Sequence, residues 1–162
     1  MLIAVVVMHS GCNYTFRAGS GLPSHVSSIA VIPFENETGR FELSDEIHRV
    51  LLDRLPNSFG VQTAGEDFAD VVVRGSIRRY EDEAPIFRPG ADPGRVEVLE
   101  RQVTIVVQVE ILDIQRNVIL WDAGSLSAQG EYLEGSETED LGREVAIRRL
   151  VQNIIDGIQS DW

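Results

Sequence analysis

Apolar and polar residues alternate with a period of two in the middle of this chain and recur with a helical period towards both ends. The alternation is clearest from Val71 to Tyr80, where Val71, Val73 and Ile77 share one face and Arg74, Ser76, Arg78 and Tyr80 the other. It resumes near Val96 and runs to Ile111. There Val103, Ile105, Val107, Val109 and Ile111 oppose Gln102, Thr104, Gln108 and Glu110. Between these strands Pro85, Pro89, Gly90, Pro93 and Gly94 predict a loop. A turn over Asp113 to Asn117 leads into Val118-Ile119-Leu120-Trp121, which continues less regularly to Tyr132. An earlier apolar run, Ser28 to Phe34, predicts one more strand, followed by the polar turn Glu35 to Gly39.

Two segments repeat at helical spacing. Ser44 is the expected N-cap of the first, with Asp45 and Glu46 in its first turn, Ile47, Val50, Leu51 and Leu55 on one stripe, and Pro56 as its end. Ser136 to Glu139 open the second, whose stripe runs from Leu141 to Ile158. The predicted order is β-α-β-β-β-α. A sheet with one apolar and one polar face, covered on the apolar side by two amphipathic helices, is a two-layer α+β domain. The expectation is a mixed β-sheet of about four strands with both helices on one face, all within a single domain over 28–162.

The remaining 27 residues read differently. Residues 13–27 carry Gly, Ser and Pro23 and read as an arm. Before them, Leu2 to Met8 are apolar, and small residues Ser10-Gly11 precede Cys12. That sequence predicts a secretory signal over 1–11 ending in a lipobox, with Cys12 acylated as the first residue of a lipidated arm over 12–27. No Lys or Arg precedes Cys12, which a signal truncated at its start would explain.

Composition narrows the functional classes. The chain has 162 residues, enough for one ordinary core. Its formal net charge is −12 and all its basic residues are arginine, so nucleic-acid phosphates are expected to be repelled by most of the surface. A single cysteine excludes an intrachain disulfide. His25 and His48 stand apart from any second ligand at metal-binding spacing, so neither predicts a metal site, and no cofactor motif is present. Glu81-Asp82-Glu83 reads as a solvated strand end, with a cation site as the alternative. No Ser, His and acid arrangement has the context of a nucleophile, and no enzymatic activity is expected.

The short motifs taken jointly resemble the LptE family of lipopolysaccharide-assembly lipoproteins. They are Cys12-Asn13-Tyr14-Thr15-Phe16, Gly21-Leu22-Pro23-Ser24-His25-Val26, Ile29-Ala30-Val31 with Phe34-Glu35-Asn36-Glu37-Thr38, Ala69-Asp70, Gly75-Ser76-Ile77, Tyr80, Leu120-Trp121 and Gly130-Glu131-Tyr132. The resemblance implies an outer-membrane lipoprotein that plugs an LptD-type β-barrel, binds lipopolysaccharide and assists barrel folding. Asn13 after the acylated Cys12 implies outer-membrane sorting. Ile86-Phe87-Arg88-Pro89-Gly90 resembles the family's hairpin loop, in which an arginine binds the lipid headgroup, and this implies that role for Arg88. A guanidinium suits phosphate because it donates two parallel charge-assisted hydrogen bonds. Arg78, Arg79 and Arg95 are expected to make the same end locally basic. The family's second basic contact, before the last helix, has no counterpart in Ser136-Glu137-Thr138-Glu139.

The barrel is expected to bind the polar sheet face through Ser76, Tyr80 and Gln108. The run from Ile29 to Thr38 also resembles lipoproteins that regulate peptidoglycan synthases and those of curli secretion. That is the alternative reading.

Overall fold

The computed structural model describes residues 21–89 and 96–160, with side chains described outside 86–98. The signal segment 1–11, Cys12, Arg95 and the side chain of Arg88 lie outside the described residues. The element order is β1 (Ser28–Val31), β2 (Glu35–Asn36), α1 (Leu43–Phe59), β3 (Gln62–Thr63), a short 3₁₀ turn (Glu66–Phe68), β4 (Val71–Pro89), β5 (Val96–Asp113), β6 (Val118–Leu133) and α2 (Glu139–Ser160). The strands lie in the order β3-β1-β4-β5-β6, with β2 pairing β4 beyond the end of β1. β1 runs parallel to β3 and β4, whereas β4, β5 and β6 form an antiparallel meander. The sheet is mixed and the class is α+β, as the periodicity predicts, but among the described residues it holds six strands rather than about four. The two additional strands, β2 and β3, are two residues each, too short for any alternation to register.

One face of the long meander builds the core. Val73 and Ile77 of β4, Ile105, Val107 and Val109 of β5, and Trp121 of β6 meet Ile47, Leu51 and Leu55 of α1 and Leu150, Ile154 and Ile158 of α2 in one buried cluster. Each such side chain contributes roughly 1.5–3 kcal/mol on removal from water. Leu22 and Val26 belong to the same cluster, so the segment read as an arm is already packed from Leu22 onward.

Three local expectations change. Ser44 does not cap α1. The residue before the helix is Glu42, and the Ser44 hydroxyl instead donates to the Phe34 carbonyl at 2.7 Å, tying the helix to the β1–β2 connection. Pro56 does not end α1, which continues one turn to Phe59 and stops at Gly60. Gly60 takes the left-handed conformation (φ 65°) that glycine adopts without steric cost. Pro85 does not interrupt β4 either. It falls within the register shift between Glu83 and Ile86, where the ladder makes no demand on its missing N–H.

The free edge of β6 is partly covered by its own helix. Arg149 donates to the Gln129 carbonyl at 2.7 Å and Asn153 to the Ser127 carbonyl at 3.3 Å. These contacts occupy acceptors that an open edge would offer to another strand.

Candidate partner-binding sheet face

The face of β4 and β5 turned away from the helices is the polar one. Its centre is a shallow groove of about 420 Å³ lined by Ile32, Pro33, Glu35, Arg74, Ser76, Arg78, Gln108 and Glu110. The floor is set by register. Ser76 is opposite Gln108 on β5 and Glu35 on β2, so three neighbouring strands place these residues side by side. Beneath this floor, on the core side, Gly75 leaves room for Phe34: a β-carbon there would overlap the Gln108 carbonyl oxygen and stand 3.1 Å from the Phe34 ring.

Each arginine around the groove is paired with a nearby carboxylate. Arg74 binds Glu110, and Arg78 binds Glu37 and donates to Gln108 Oε1 at 2.6 Å. Arg79 lies 3.6 Å from Glu81. Exposed pairs of this kind contribute little to stability, so these guanidiniums can exchange partners at small cost. The face offers alternating charges and amides, with small apolar contacts from Ile32 and Pro33.

Of the residues that the sequence assigns to the partner interface, Ser76 and Gln108 come together here, joined by Arg78. Ser76 is nevertheless 7% exposed, so it is part of the floor and not a projecting contact. Tyr80 is elsewhere. β4 and β5 shift register between Ile77 and Arg79, so Ile77 pairs Val107 and Arg79 pairs Val106. The extra residue turns the strand by one position. Arg78 and Arg79 both stay with the polar face, and Tyr80, paired with core residue Ile105, moves to the helix side. Simple alternation carries no sign of this bulge, and Tyr80 is therefore withdrawn from the interface.

The displaced tyrosine is the hub of a polar cluster that alternation did not reveal. Its hydroxyl donates to Glu139 Oε1 at 2.6 Å, and the Arg40 guanidinium stands 5.1 Å from the ring centroid while binding the same Glu139. Burial and then the Glu139 carboxylate hold the Tyr80 hydroxyl well above the usual tyrosine range. Nearby, Arg143 binds Glu46 at 2.9 Å and Asp140 at 2.9 Å. Loop, strand and both helices are thereby tied together.

One step further along β4, Asp82 is also on the helix side. It accepts from Arg101 at 2.9 Å and from the Tyr132 hydroxyl at 3.0 Å, so the carboxylate read as a solvated strand end is fully engaged.

The hairpin that carries Arg88 is the far end of the same meander. The backbone of Arg88 pairs Glu97, and Pro89 pairs Val96. Arg78 and Arg79 lie on β4 before this end, each beside a carboxylate, so the locally basic tip expected from the sequence is not formed by these two residues.

A family model described as LptE, lipopolysaccharide-assembly, matches residues 26–161. No curated protein matches the chain significantly. Among solved structures, protein CT253 from Chlamydia trachomatis is similar with a TM-score of 0.60 at 14% identity, over 83% of this chain and 96% of that one. A Caulobacter crescentus protein described as a lipoprotein gives 0.55 at 14% identity, over 89% and 96%. PelC from Paraburkholderia phytofirmans, a dodecamer in its crystal, gives 0.53 at 14% identity, over 83% and 89%. At such identities the likeness is one of fold.

Proposed function

Since the chain belongs to the LptE family of lipopolysaccharide-assembly proteins, we propose that it is an outer-membrane lipoprotein that docks on an LptD-type β-barrel, binds lipopolysaccharide and catalyses no reaction. The anchor in this reading is an acylated Cys12, and the headgroup contact is Arg88 at the hairpin tip. The observation that carries the docking part is the face of β4 and β5 that neither helix among the described residues covers. The helices leave this face open, and its groove brings Ser76, Arg78 and Gln108 together from separate strands. A mixed surface of paired charges, amides and small apolar contacts has the composition of a non-obligate interface. A barrel lumen, polar and wet, is a surface such a face complements.

The test is recovery of the partner from solubilised outer membrane. Gln108 and Arg78 are exposed, so Gln108→Glu and Arg78→Glu leave the fold intact. Each variant is expected to recover less barrel than the wild-type chain. Undiminished recovery with both variants would remove this face from the complex. Recovery of a peptidoglycan synthase in place of a barrel would favour the regulator reading.

A further inference from the structure

The end of the sheet opposite the Arg88 hairpin gathers three segments that are remote in sequence. The entering chain is pinned there by two contacts: His25 Nε2 lies 2.7 Å from Asp113 Oδ2, and Ser27 and Ser28 donate to Asp70. The start of β4 joins the β5–β6 turn through the Ile114 N–H to the Asp70 carbonyl, 3.0 Å, and through Gln115 to the Asp70 carboxylate, 2.8 Å. At this same end large apolar side chains face solvent: Phe68 at 85% exposure, Ile119 at 54%, and Ile114 and Val118 at 46% each. Behind the rim, Ala30, Val72 and Leu112 continue the register row that ends in Ile119, across β1, β4, β5 and β6, on the face without helices. Scattered exposed apolar residues are ordinary, but four on one rim beside an apolar row form a surface.

We infer that this rim is a membrane-seating surface, its occupant the headgroup–acyl boundary of the bilayer that holds the anchor. The inference rests on the acylation of Cys12 proposed above. The position of the chain supplies the argument for a bilayer. Cys12 precedes Gly21 by nine residues, and even fully extended these span at most roughly 30 Å. An anchor at Cys12 therefore keeps Gly21 within that distance of the membrane surface. His25, four residues on and bound to Asp113 at this end of the sheet, brings the rim to the same side, where exposed Phe and Ile side chains gain by entering the interfacial layer. Arg116 on the β5–β6 turn is placed to meet lipid phosphate. Glu66 and Asp67, beside Phe68, oppose anionic lipid, as does the net charge of −12. The seating is accordingly stronger on zwitterionic than on anionic bilayers.

The test uses the full chain coupled through Cys12, its sole cysteine, to a maleimide lipid in phosphatidylcholine vesicles with brominated acyl chains. Phe68→Trp and Ile119→Trp report from the rim, and Phe41→Trp and Leu133→Trp report from exposed positions away from it. Fluorescence is read as the difference from the unsubstituted chain. Blue-shifted, quenched emission at 68 and 119 with none at 41 and 133 is the expected result. No quenching at the rim, or equal quenching at all four positions, overturns the inference. So does loss of barrel co-purification by a Phe68→Ser/Ile119→Ser variant when the rim tryptophans stay unquenched, because the surface then belongs to a protein contact. The mass of Cys12 in the native chain is read separately. An unmodified Cys12 alongside quenching at the rim would remove the anchor and support the surface.

Discussion

Gly130 on β6 and Gly142 on α2 approach so closely that a β-carbon on Gly130 would overlap the Gly142 carbonyl oxygen and stand 2.6 Å from the Ala146 nitrogen. The contact is backbone against backbone, which no rotamer change relieves. Gly142 meets a softer neighbour, the Tyr132 ring, at 2.7 Å. Gly130→Ala is expected to cost about 3 kcal/mol or more, because α2 must shift off the sheet. Gly142→Ala should cost less, and Gly124→Ala, with open space around it, should stay within about 0.5 kcal/mol. Urea denaturation midpoints check the ranking, and equal midpoints for Gly130→Ala and Gly124→Ala would contradict it.

Asp70 gives the fold a pH dependence with a definite sign. Hydrogen bonds from the Ser27 amide and hydroxyl, then from Ser28, outweigh burial and lower its carboxyl from 3.8 to about 2. The folded value is depressed, so the contribution is complete above the unfolded value of 3.8 and is lost as pH falls through about 2. Asp70→Asn should lower stability by about 2 kcal/mol at neutral pH, with the gap to wild type closing between pH 3.8 and about 2. Denaturation measured across that range tests it, and a gap that widened on acidification would reverse the assignment.

Tyr80 separates packing from partner binding. Tyr80→Phe removes the hydroxyl that donates to Glu139 and keeps the ring under Arg40. Stability should fall by about 1 kcal/mol. Recovery of the proposed barrel partner should match the wild-type chain, because the bulge has moved this residue to the helix side. Reduced recovery without loss of stability would return Tyr80 to the interface.

Arg88 is the proposed headgroup contact. Arg88→Glu should fold and bind the barrel normally, while lipopolysaccharide binding falls at least about tenfold at low salt. Wild-type binding in a purified low-salt assay would place the site elsewhere.

The sequence by itself determined the class and the layers. The period of two in β4 and β5 assigned Val73, Val107 and Val109 to the core and Arg74, Gln108 and Glu110 to the open face, because a strand offers nothing but two faces. The helical stripes placed Leu51 and Ile154 inward for the same kind of reason. The short motifs were sufficient to suggest the family.

What the tertiary structure decided was everything that depends on a count of residues in register. One extra residue near Arg78 carried Tyr80 and Asp82 from the polar face to the helix side. The register shift at Pro85 let β4 run on where proline composition predicted a loop. The pairing of Asp113 with His25, 88 residues apart, and the overlap of Gly130 with α2 have no local signature either. Local periodicity reports which face a residue prefers. A bulge or a close backbone approach arises from the partner strand or helix, and only the assembled sheet contains that partner.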